Sequence, residues 1–159
     1  MTMNVREPIE EMEDAQYGRF LTFSLGGEEF GIETKYVKEI IGMQPITQLP
    51  ETPDYIKGVI NLRGKIIPLI DLKVKFKKDR AGYTDRTCVI VTELCEISAG
   101  LIVDSVSEVE SIMAEDISPP PDYRTGIQSK YIRGIDKAGD AIKLLLDCET
   151  LILENEAEK

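Results

Sequence analysis

The stretch YIKGVINLRGKIIPLIDL, residues 55–72, returns as YIRGIDKAGDAIKLLLDC, residues 131–148. Laid together without a gap, the two keep Tyr, Ile, Gly, a later Ile, a Leu and an Asp in the same places. Lys57 is exchanged for Arg133, Val59 for Ile135 and Ile70 for Leu146. In the first copy Arg63-Gly64 parts two apolar runs, which reads as a hairpin whose glycine takes positive φ. In the second copy Ala138-Gly139-Asp140 stands at the turn. Pro68 lacks an N–H and places its strand at a sheet edge or a bulge. Each copy ends on an aspartate, Asp71 before LKVKF and Asp147 before CETLIL, the pattern of a helix N-cap.

Upstream of each hairpin lies a second matched segment. GIETKYVKEI, residues 31–40, aligns with GLIVDSVSEV, residues 100–109, with Gly, Val and Glu identical. FLTFSL and VIVTEL, which precede them, also agree in character. Phe20–Leu72 and Val89–Cys148 therefore read as two copies of one unit. Two copies are too few for a solenoid, and each alone is too small to bury enough surface. The duplication predicts a pseudo-symmetric pair of small barrels around one shared core, with a seam between the halves.

The rest of the chain fits an all-β fold of many short strands with glycine turns. Phe20 and Leu21–Leu25 pair with Glu29–Ile32 across Gly26-Gly27. TKYVKEIIGM reads as a short helix or as a strand with a bulge. CVIVTEL, SAGLIVDSV and SEVESIM read as three strands rich in β-branched residues. ITQLPETPDYI and EDISPPPDYRTGIQSK read as loops. Lys73, Lys75, Lys77, Lys78 and Arg80 read as a solvated basic connector. Asp147–Asn155 reads as a short terminal helix with Leu151 and Ile152 facing inward.

The chain has 159 residues, 42% of them hydrophobic, and a net charge of −10. Much of that charge lies in an acidic leader, residues 1–16, and an acidic tail, residues 154–159. An acidic chain is a poor partner for phosphate backbones and gains nothing from an anionic lipid surface, so neither nucleic acid nor direct membrane insertion is expected. No apolar run reaches the roughly 18 residues that span a bilayer, and no secretory signal is visible. The expectation is a cytoplasmic protein. Cys88, Cys95 and Cys148 show no CxxC spacing and read as reduced, mostly buried thiols. There is no histidine, which removes most acid–base and Ser–His or Cys–His chemistry and the commonest metal ligand.

The remaining catalytic candidates are thin. Asp104, Ser105 and Ser107 lack a base. Asp71 and Asp147 are explained by capping. Gly26-Gly27 opens no phosphate loop, and no calcium loop occurs. No cofactor is expected. Arg63, at the tip of one hairpin and without a copy in the other, suits an interface anchor. The residues point to a binding or scaffold module and not to an enzyme.

FLTFSLGGEEFGI, VKEI, YIKGVINLRGKIIPLIDL, GLIVDSVSEV and YIRGI together resemble the CheW family of bacterial chemotaxis coupling proteins. The resemblance runs from about Gly18 to Leu153. It implies two five-stranded SH3-like barrels around a shared core, the first over roughly residues 26–83 and the second over roughly 84–147 with a contribution from the N-terminal strand. The folded domain would span residues 17–153. The resemblance further implies an adaptor, monomeric in isolation, that joins the cytoplasmic tips of chemoreceptors to the regulatory domain of the histidine kinase CheA in membrane-associated rings. An alternative is a like module serving another kinase pathway. Carried over by position, receptor-binding residues would be Thr34, Arg63, Cys88, Gly100, Val106 and Val109. Kinase-binding residues would be Val37, Glu39 and Gly58, with Gly134 as structural counterpart. A groove lined by valines suits an amphipathic helix.

Overall fold

The computed structural model describes residues 17–78, 82–120 and 129–157. Eleven strands run in order: β1 (Tyr17–Leu25), β2 (Glu28–Glu33), β3 (Val37–Gly42), β4 (Ile56–Leu62), β5 (Lys65–Asp71), β6 (Cys88–Leu94), β7 (Ile97–Val103), β8 (Ser105–Met113), β9 (Ile117–Ser118), β10 (Ile132–Asp136) and β11 (Lys143–Leu146). Short helices cover Leu72–Lys75 and Cys148–Ala157, and single 3-10 turns cover Thr34–Tyr36, Ala114–Asp116 and Ser129–Tyr131. The leader and half of the EDISPPPDYRTGIQSK loop, residues 121–128, lie outside the described residues.

Two sheets form, in the orders β3-β6-β7-β5-β4 and β8-β1-β2-β11-β10-β9. The all-β, two-barrel expectation holds. The second sheet has six strands where five were expected, because the two-residue β9 joins it. Its counterpart in the first sheet is the single bridge Thr47–Val59.

The two copies superpose in their pairing. Gly58 opposes Leu69 and Gly134 opposes Leu145, each just after a register shift. Leu69 runs parallel to Gly100, and Leu145 runs parallel to Gly31. Asp71 N–H donates to the Tyr55 carbonyl at 2.8 Å, and Asp147 N–H donates to that of Tyr131 at 2.7 Å. Both aspartates cap as expected: Asp71 accepts from the Lys73 and Val74 amides, and Asp147 from the Thr150 amide.

Sheet membership does not follow the copies. β1 and β2 sit with β8–β11, whereas β6 and β7 sit with β3–β5. Each sheet therefore takes two strands from one copy and the remainder from the other. A division near residue 83 separates the copies but not the sheets. The parallel β5–β7 and β2–β11 ladders are the junctions.

Between the sheets lies a central core that includes Phe23, Phe30, Ile32, Ile70, Leu72, Phe76, Ile90, Leu101, Tyr131 and Leu151, drawn from both copies. Burying each such side chain contributes roughly 1.5–3 kcal/mol. Phe23, Phe30, Phe76 and Tyr131 form a chain of ring contacts, with centroids 5.6–6.0 Å apart.

Three expectations need correction. The lysine run is a solvated connector only in part: Lys77 is exposed and Lys78 half-buried, but Lys73 and Lys75 are buried in the helix Leu72–Lys75, and Arg80 lies outside the described residues. Lys73 pairs with Asp104 at 3.0 Å, and Lys75 lies 3.7 Å from the Tyr55 ring centroid and 3.6 Å from a Glu154 oxygen. Desolvation of these ammonium groups is offset by a carboxylate in each case. The terminal helix continues to Ala157 through part of the stretch read as tail, with Glu154 accepting from Tyr131 and Lys130. Burial alone would raise Glu154, but these hydrogen bonds and the Lys75 charge hold it below the usual carboxylate range. Pro68 lies in an interior strand, yet its parallel ladder with β7 begins only at Leu69, so the missing N–H interrupts no β5–β7 pair.

Candidate interaction site

The VKE and VSE segments are bulged edge strands. In β3 the register against β6 shifts between Val37 and Glu39. In β8 the register against β1 shifts between the partners of Leu21 and Phe23, Val109 and Val106. TKYVKEIIGM is thus a 3-10 turn, Thr34–Tyr36, followed by the bulged strand Val37–Gly42. The buried Thr22 hydroxyl closes the β8 bulge by donating to the Glu108 carbonyl at 3.0 Å and accepting from the Glu108 amide at 3.2 Å. A bulge re-aims side chains. Here it leaves Val109 50% exposed, and its counterpart Ile40 45% exposed.

Cys88 and Val106 come from different sheets and meet where the barrels adjoin. Both pack half-buried against the central core. The Val106 backbone hydrogen-bonds the Cys88 sulfur, and burial pushes the thiol above its ordinary value against that bond. Of the residues expected to bind the receptor, these two are the ones the fold brings together, and Val109 stands further along β8 on the same strand as Val106. Thr34 stands half-buried in the turn between β2 and β3.

Arg63 stands apart from that seam. Its φ of 53° and the 89° of Gly64 make the left-handed pair of a tight hairpin turn, and Asn61 Oδ1 accepts from the Gly64 amide at 2.8 Å. The guanidinium reaches across to Glu39 on β3. The expected receptor anchor and an expected kinase residue are therefore one ion pair. Lys38 at 3.1 Å and Lys65 at 3.7 Å hold Glu93 nearby, and their bonding holds Glu93 below the usual carboxylate range. A cleft of about 210 Å³ opens among Lys38, Glu39, Arg63, Lys65 and Val91. The sequence reading missed Lys38, Lys65 and Glu93. Charges on three separate strands carry no local pattern that would join them.

Gly58 and Gly100 are buried and present no side chain to a partner. A Cβ on Gly58, at φ 141°, would stand 2.2 Å from the Thr47 carbonyl oxygen. One on Gly100 would stand 2.6 Å from Leu69 and 2.7 Å from Val89. One on Gly134 would meet Ile117 at 2.6 Å. These glycines serve close backbone approach. Of the three residues expected to bind the kinase, Val37 and Glu39 are both half-buried and Gly58 is buried; Val37 packs on the central core, so Glu39 is the one that presents a charged group.

Cys95 departs from the buried-thiol expectation. It is exposed in the β6–β7 turn, at φ 52° with Glu96 at 66°. Cys148 is buried and its thiol is pushed up to about 12, first by burial and then by Asp147. None of the described helices is long and apolar enough to cross a membrane.

A bulged, two-sheet scaffold with an apolar seam and a charged edge defines an interaction module. The chain belongs to the CheW-like domain family, which matches residues 19–156. It is 42% identical over 137 residues to the chemotaxis protein CheW of Klebsiella aerogenes, spanning 86% of this chain and 82% of that one. It is 35% identical over 138 residues to the probable chemotaxis protein CheW of Rhizobium etli, spanning 87% and 89%. Among solved structures, the scaffolding protein TtCheW from Thermoanaerobacter tengcongensis matches with a TM-score of 0.78 at 40% identity, over 82% of this chain and 89% of that one.

Proposed function

We propose that this protein is a non-enzymatic adaptor that ties the cytoplasmic tips of chemoreceptors to the regulatory domain of the histidine kinase CheA. It would couple receptor state to kinase activity within membrane-associated arrays. The observation that carries the reading is the meeting of Cys88 and Val106 at the barrel seam, with Val109 exposed further along β8. A receptor tip offers an amphipathic helix, and half-buried Cys88 and Val106 with exposed Val109 would give its apolar face contacts. The Glu39 edge, with its ionic cluster, faces the kinase. Such a protein exerts control through geometry alone, by favouring one arrangement of its partners.

Calorimetric titration tests this. Saturable binding to both a CheA regulatory domain and a receptor-tip fragment is expected. Binding to the kinase domain alone leaves a kinase-pathway module and removes the receptor assignment of the seam. Binding to neither cognate partner by the folded protein overturns the reading.

A further inference from the structure

The two barrels share a fold but not a filling. The first is lined by Ile60, Ile67, Leu69, Val89, Val91 and Ile102, all buried, with Ile41, Met43, Ile46 and Leu62 packed against them. Among the described residues, the second holds Phe20, Ile112 and Leu145, with Ile117 against them. The pairing registers identify the mates. The place of Ile60 is taken by Asp136, of Ile67 by Lys143, of Ile41 by Glu110, of Val91 by Thr22 and of Ile102 by Glu33.

Each polar substitute is held by a partner. Asp136 accepts from the Ala138 amide at 3.0 Å, Lys143 lies 3.6 Å from Glu110, and Arg133 pairs with Glu33. Burial raises Glu110 above the usual carboxylate range; Lys143 opposes this and neighbouring Glu108 reinforces it. Satisfied pairs prevent collapse of the fold, yet they contribute less than the apolar packing they replace. Their solvation on opening also lowers the cost of letting water in. Regions with few apolar contacts open locally at a fraction of the global free energy.

We infer that the barrel built on β8–β11 is a compliant unit that opens while the barrel built on β3–β7 stays closed. The lining Lys143–Glu110 pair sets that difference. On the adaptor reading, the consequence is a division of labour. Val106 and Val109 lie on β8 of the compliant barrel, whereas Cys88, like Val37, Glu39 and Gly58, lies on the stiff one. A receptor at the seam would act on the half that yields, braced against the half that does not.

Native-state hydrogen exchange on the full chain tests the inference without any partner, so its result is independent of the adaptor reading. Ladder amides of β8, β10 and β11 are compared with those of their mates β3, β4 and β5, which cancels edge position and strand order. Opening constants at least tenfold larger in the second barrel are expected. Equal protection in the wild type overturns the inference by itself. In the double variant K143I/E110I, which copies the lining of the first barrel, opening of the second barrel should fall at least tenfold and that of the first should stay unchanged. An unchanged or increased second-barrel opening in the folded double variant removes the pair as the cause. Should that variant not fold, the wild-type comparison still decides.

Discussion

Arg63 at the tip of the β4–β5 hairpin is ion-paired to Glu39 on β3, the opposite edge of the same sheet. The pair closes the barrel where backbone ladders do not. Arg63 is also one of the few non-glycine residues at positive φ. Asparagine tolerates that conformation better than arginine, so Arg63→Asn removes the charge and keeps the turn. An exposed pair contributes only about 0–1 kcal/mol, and the urea midpoint should barely move. Glu39 stands on the edge proposed to face the kinase, so affinity for the CheA regulatory domain should fall about tenfold, equivalent to roughly 1.4 kcal/mol. Unchanged affinity would take Arg63 out of the site.

The glycines should rank by what a methyl group would meet. Gly58→Ala places a Cβ against the Thr47 carbonyl at a φ that side chains avoid, and breaks the Thr47–Val59 bridge. A loss of about 3 kcal/mol or more follows from combined strain and overpacking. Gly100→Ala meets two flexible apolar side chains and should cost about 1–3 kcal/mol. Gly31→Ala, whose nearest neighbour is Leu145 at 3.2 Å, should cost least. Equilibrium urea unfolding gives the order, and a reversal would mean that the β4 loop relaxes more readily than the parallel junction.

Stability should be flat between pH 6 and 8, where no histidine titrates, and should fall on the alkaline side. Burial and a hydrogen bond to Glu149 raise the Tyr36 phenol, burial and Asp71 raise Tyr83, and Cys148 is pushed up to about 12. Groups whose folded value is raised bind their protons more tightly in the native state. Their contribution is complete below the unfolded values, about 8.5 for Cys and about 10 for Tyr, and is lost as pH rises through the folded ones. Urea midpoints measured from pH 7 to 11 should decline from about pH 8.5 upward. Tyr36→Phe should flatten that decline and cost about 1 kcal/mol at neutral pH.

Thiol alkylation should proceed in the order Cys95, Cys88, Cys148. Exposure decides the first, partial burial and a raised thiol slow the second, and near-complete burial blocks the third. Mass mapping after brief treatment reads the order directly. Bound receptor tip should protect Cys88 and leave Cys95 unaffected.

The hairpins, their turns and both aspartate caps were legible in the sequence because each is local chemistry: a glycine at positive φ, an oxygen facing two free amides. The apolar runs of β6 and β7 were legible for the same reason. What could not be read was which strand lies beside which. The junctions run through parallel ladders, Leu69 beside Gly100 and Leu145 beside Gly31, which no turn connects. Lys73 and Lys75 looked solvated because their carboxylates, Asp104 and Glu154, arrive from distant segments. Of the site, Arg63 was visible at its turn, but its pairing with Glu39 depends on how the barrel closes. Gly58 and Gly100 were assigned to binding surfaces, whereas both are buried, Gly58 against the Thr47 backbone and Gly100 against the Leu69 and Val89 side chains.

The sharing of strands between copies bears on how such a chain arose. One copy alone, β1 to β5, would hold two strands of one barrel and three of the other, and could complete neither. A single-copy ancestor could fold only as a mutual embrace of two identical chains, each lending its first hairpin to its twin. On that route, fusing two such copies would turn an encounter between molecules into an event within one, and would free the halves to carry one apolar and one charged lining.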